Sequence, residues 1–214
     1  MNIKQGDILS IPLLHNLGYT YAKVILPHEF LKCEEQIMLK VFNYRTTEVK
    51  KDVNFKEVEL ITNPLLLAGK PRLRGSSKSK VLNNVELLSD DYHIPDFKNN
   101  FKLLSNFDKV KDEKELQSSW TLVRNLYPNH QTEIDYEKIK HLEFWGNLGY
   151  DLFLIRITME FLKLNGEKIG NYFPEIKKQS NDMYDKWIKF MYFLVLNSVE
   201  YSKIPKDIRG VARK

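Results

Sequence analysis

Two runs near the start of the chain constrain its fold most: Gly6-Asp7-Ile8-Leu9-Ser10-Ile11-Pro12-Leu13 and Tyr19-Thr20-Tyr21-Ala22-Lys23-Val24-Ile25-Leu26. Both are rich in β-branched, aliphatic and aromatic residues, and the connection Leu14-His15-Asn16-Leu17-Gly18 contains Asn and Gly, which tolerate positive φ. They read as a β-hairpin. Pro12 has no N–H for a ladder and marks the end of the first strand. In the second, Tyr19, Tyr21, Lys23 and Ile25 share one face, with Thr20, Ala22, Val24 and Leu26 on the other.

A hairpin alone is unstable in water, so further strands are required. Glu35–Tyr44 reads as a third, apolar on both sides at its middle and hence central in a sheet; Val53–Ile61 alternates as a fourth, ended by Pro64; Val81–Leu88 reads as the last. Residues 65–80 read as a loop. Between Leu60 and Val85 no acidic residue occurs, while Lys70, Arg72, Arg74, Lys78 and Lys80 do. Gly75-Ser76-Ser77-Lys78-Ser79 lacks the Gly-x4-Gly-Lys-Ser/Thr spacing of a phosphate-binding loop.

From about Asp108 the period becomes helical. Leu116, Trp120, Val123 and Leu126 predict a helix over 112–126, stopped by Pro128 and Asn129; Thr132-Glu133-Ile134-Asp135 reads as the start of another through Tyr136, Ile139, Leu142 and Trp145. Tyr150–Leu164 is apolar on nearly every side and predicts a central helix. Asn181 or Asp182 caps a last one to about Tyr201. The chain is thus expected to be α+β: a small antiparallel, barrel-like domain of the SH3-like kind over 1–105, followed by a helical domain over 106–214.

Gly6-Asp7-Ile8, Ile11-Pro12-Leu13 and Tyr21-Ala22-Lys23-Val24-Ile25 resemble the opening of the immunity protein 26 family, whose members protect bacteria against toxins of polymorphic toxin systems. The resemblance covers the first half of the chain at most. It implies a non-enzymatic protein that neutralises a cognate protein toxin by docking, with no catalytic residue and no cofactor.

Composition is compatible with that expectation. Of 214 residues 43% are hydrophobic and 12% aromatic, ample for a packed core. No charged leader followed by an apolar stretch opens the chain, and no apolar run approaches a membrane span, so a cytoplasmic protein without a membrane partner is expected. The single cysteine, Cys33, excludes an intrachain disulfide. His15, His28, His93, His130 and His141 show no His-x3-His spacing, so no metal site is expected. Aromatic and arginine side chains anchor protein interfaces, and Tyr19, Tyr21, Tyr44, Arg45, Arg72, Arg74, Tyr92 and Phe97 are the candidate contact residues. A net charge of +5 and the basic loop 69–80 supply the second reading, a nucleic-acid or phosphate-binding module.

Overall fold

The computed structural model describes residues 3–75, 77–126 and 131–213. The hairpin forms as expected: β1 (Asp7–Pro12) and β2 (Tyr19–Ile25) are antiparallel, with Leu9 opposite Ala22 and Ile11 opposite Thr20. β3 (Ile37–Val41), β4 (Leu65–Leu67) and β5 (Lys80–Asn84) complete an antiparallel sheet in the order β4-β3-β2-β1-β5. Gly6 opens it with φ +79°, and a Cβ there would lie 2.2 Å from the Val85 carbonyl oxygen, so only glycine fits. Asp7 beside it accepts from Lys4 N at 2.8 Å and Asn84 Nδ2 at 2.9 Å. The Gly-Asp step thus pins the first strand to the last.

The sheet is not a closed barrel, which corrects the expectation of one. Among the described residues β4 and β5 do not pair with each other. The outer side of β4 is instead taken by a distant segment: Ala68 N donates to Leu148 O, and Leu148 N to Leu66 O, both at 2.9 Å. A second correction concerns the fourth strand. Val53–Ile61 is irregular, with a 3-10 turn at Phe55–Glu57 capped by Asn54, and only Leu60 bridges to Phe42. Leu65–Leu67, read as loop, is a strand paired with β3, and burial of all three leucines leaves no alternation to read it by.

A second, three-stranded sheet has the order β6-β7-β8, from β6 (Phe97–Asn99), β7 (Thr121–Val123) and β8 (Gln131–Glu133). It replaces the helix expected over 112–126. Asp112 caps a 3-10 stretch, Glu113–Ser119, after which Thr121 and Val123 favour a strand, and Asn125 and Leu126 take left-handed φ of 51° and 59°. Pro128, Asn129 and His130 lie outside the described residues. Two helices are single turns, α1 (Leu103–Asn106) and α2 (Tyr136–Ile139). The two long ones, α3 (Tyr150–Leu164) and α4 (Met183–Asn197), agree with the sequence, and Asp182 caps α4 by accepting from Tyr184 N at 2.7 Å.

α3 is the centre of the molecule. Phe153, Leu154, Ile157 and Phe161 pack under the five-stranded sheet with Leu9, Ile11, Ala22, Val24 and Leu39; Ile155, Met159 and Leu162 pack with Ile188, Met191 and Val195 of α4. A boundary at residue 105 therefore does not separate two cores. The opposite face of the large sheet is covered twice: Ile25, Met38 and Leu66 meet Phe97, Val123 and Leu126, while Ile8, Tyr21 and Phe42 meet Phe55, Leu60 and Leu82. Between these two covers the sheet is left open to a groove.

Candidate functional site

The residues singled out from the sequence do not form one surface. Tyr21 is fully buried, its ring 5.2 Å from Phe55 and its hydroxyl 2.8 Å from Thr46 Oγ1 while accepting from Lys50 N at 2.8 Å. Phe97, 1% exposed, packs edge-on against Trp145. Both are core residues, which corrects their reading as contacts: each lies on the covered part of a sheet face. Tyr19 and Tyr44 are half-buried, Tyr44 against Tyr21 and Phe55. Arg45 is exposed, 3.9 Å from Glu167; Arg72 pairs with Asp151 at 3.0 Å; Arg74 is exposed; Tyr92 is exposed beside Phe30. Cys33 is half-buried, and burial, with Glu34 nearby, pushes its thiol pKa up, away from a reactive thiolate.

What the structure offers instead is a groove of about 1050 Å³ across the uncovered part of the large sheet. Its floor is Lys23 and Lys40, side by side on β2 and β3, flanked by Ile8 and Phe42 where the cover from 53–60 begins. One wall is the irregular segment 53–60, the other is 83–95, and residues 201–211 close one end, where Arg209 lies 4.5 Å over the Tyr201 ring and pairs with Glu59 at 3.1 Å.

In the floor, Lys23 and Lys40 stand directly opposite each other in the β2–β3 ladder. Like charges so placed repel. Asp91 bridges them, with Lys23 Nζ at 2.5 Å from Oδ2 and Lys40 Nζ at 2.8 Å from Oδ1, and also accepts from Leu88 N at 2.8 Å. Burial works to raise the Asp91 pKa, but the hydrogen bonds from Lys23, Lys40 and Leu88 and the Lys40 charge outweigh it and hold it below the ordinary value. The carboxylate therefore stabilises the fold fully above its unfolded pKa, and that contribution is lost as pH falls through the lower folded value. Asp91→Asn is expected to cost about 2 kcal/mol at neutral pH, less than removing a partner outright because the Asn amide oxygen still accepts from one lysine. In urea titrations, the gap between variant and wild type should close as pH drops below 3.8.

The sequence did carry a signal for this site: one lysine in the middle of each of two otherwise apolar strands, Tyr21-Ala22-Lys23-Val24-Ile25 and Met38-Leu39-Lys40-Val41-Phe42. That Asp91 would meet both was not readable.

A second ionic cluster lies inside the molecule. Lys98 Nζ contacts Glu113 Oε2 at 2.5 Å, Tyr136 donates to the same oxygen at 2.9 Å, and Arg156 bridges Glu160 at 2.7 Å and Glu143 at 3.2 Å. Burial and the neighbouring Glu113 push the Tyr136 phenol far up, so it stays a neutral donor. The adjoining cavity is about 10 Å³, room for no ligand larger than water. This cluster ties α3 to the chain around it.

Among the described residues, no group of three His, Cys, Asp or Glu side chains is placed to hold a metal ion, and no helix is long and apolar enough to cross a membrane. No protein-family model, curated protein or solved structure matches this chain.

Proposed function

We propose that this chain is a non-enzymatic binding protein, resembling an immunity protein that neutralises a cognate bacterial toxin by docking, and that the partner seats in the groove. The groove itself carries the reading. It sets apolar side chains, Phe42, Phe55, Val58 and Leu60, beside the charged floor of Lys23, Lys40 and Asp91 and a charged rim, a mixed surface that a protein partner can complement. Leu88, 47% exposed on its wall, is an apolar side chain within reach of a partner seated in the groove. The docking residues on this view are those of the groove, with Tyr92, Arg45, Arg72 and Arg74 outside it.

The test is titration of the purified chain against the toxin encoded beside its gene. A complex at micromolar or lower Kd is expected, and Leu88→Arg should weaken it about tenfold or more while leaving thermal unfolding unchanged. No complex at micromolar concentration, or one indifferent to Leu88→Arg, rejects the proposal.

The competing reading draws on Lys70, Arg74, Lys78 and Lys80, all exposed on or beside the loop that Ser79 fastens to Arg72 O at 2.8 Å. It requires affinity for RNA or DNA that falls steeply with salt.

A further inference from the structure

The groove floor holds a charge imbalance. Lys23 and Lys40 share the single carboxylate of Asp91, and these side chains are only 8, 13 and 6% exposed, so one positive charge is left with little solvent. Each ammonium has three N–H donors. Lys23 gives one to Asp91 and one to Glu86 O at 3.0 Å; Lys40 gives one to Asp91 and one to Asp90 O at 2.8 Å. Among the described residues a donor remains on each, and both side chains line the groove. A second carboxylate arriving there balances the charge and accepts charge-assisted hydrogen bonds in a shielded place.

The rim selects what can bring that carboxylate. Glu57, Glu86, Asp90 and Asp207 line the groove against Lys56 and Lys206, since Arg209 is already paired with Glu59. A polyanion meets this acidic rim before it reaches the lysines. A protein segment with one acidic side chain between basic ones satisfies floor and rim together. Resting on the reading of the groove as a docking site, we propose that Lys23 and Lys40 are the anchor for a single Asp or Glu side chain of the partner, presented within a basic segment.

The probes are two blocked peptides, acetyl-Lys-Gly-Asp-Gly-Lys-amide and its Asn counterpart, titrated into the isotope-labelled full chain and followed by NMR. The Asp peptide is expected to move the signals of residues 23, 40 and 86–91, with an affinity about tenfold above that of the Asn peptide, equivalent to about 1.4 kcal/mol. Lys40→Met, which keeps the Lys23–Asp91 pair and the apolar stem, should abolish the preference, and Lys40→Arg should retain it. Inorganic phosphate and a short oligothymidylate, run alongside, should bind there more weakly than the Asp peptide. Equal affinities, no binding of either peptide, signals moving elsewhere, or tighter binding of phosphate or oligonucleotide overturns the anchor. The peptides need no toxin, so the two readings fail separately. Asp selectivity without a toxin complex removes only the toxin, and a toxin complex without Asp selectivity removes only the anchor.

Discussion

Arg156→Met is expected to lower the free energy of unfolding by about 3–5 kcal/mol, measured by urea denaturation at neutral pH. The Arg156 side chain is 2% exposed and is held between Glu160 and Glu143, whose side chains are 5 and 10% exposed. Methionine fills a similar volume but strands two carboxylates away from water. Burial already pushes the Glu160 pKa up, with the Glu143 charge adding to it and Arg156 opposing. Losing Arg156 removes that opposition and raises the folded pKa further. A carboxyl with a raised folded pKa contributes stability below its unfolded value and loses it as pH rises through the folded one. The variant should therefore recover part of its deficit on acidification toward 4.5, the ordinary glutamate value. Adding Glu143→Gln and Glu160→Gln to Arg156→Met should also recover part of it, since neutral amides are cheaper to bury. A variant as stable as wild type at pH 7 would mean that water reaches the cluster.

Phe153→Ala should cost about 3–5 kcal/mol and shift the whole unfolding transition as one step. Phe153 is fully buried in α3 beneath the large sheet, so the cavity it leaves borders strands near the start of the chain and a helix far along it. Two probes separate the possibilities. The tryptophans, Trp120, Trp145 and Trp187, all lie in the second half and report on it by fluorescence, while NMR amide signals of β1, β2 and β3 report on the first. Coincident transitions, both moved by Phe153→Ala, are the expected result. Strand signals that survive the loss of tryptophan fluorescence would show that the hairpin sheet stands alone.

How far this architecture was legible follows from what sort of pattern each element leaves. β1, β2 and β3, together with α3 and α4, are long enough for a period to declare itself, and Asp182 supplies the cap of α4 in the sequence itself. β4, β7 and β8 have three residues each, too few for alternation to be told from a helical stripe. Trp120 and Val123 matched helical spacing by coincidence, and the left-handed backbone at Asn125 and Leu126 was not signalled by a glycine. Tyr21 and Phe97 looked like surface rings because burial on a sheet face depends on what crosses it, and neither Phe55 nor Trp145 is near in sequence to the ring it covers. The lysines of the groove were visible as polar interruptions of apolar strands. Their meaning depended on register, which set them opposite each other, and on Asp91 returning from beyond β5.

The join between Leu66, Ala68 and Leu148 bears on how the protein is made. On the ribosome, β4 emerges long before its outer neighbour exists, and α3, which seals the underside of the same sheet, follows that neighbour. For the interval the Leu66 carbonyl and the Ala68 N–H lack their partner at an apolar sheet edge, a combination that invites pairing with another nascent chain. Completion of the amino-terminal sheet thus waits for translation of residues 148–164.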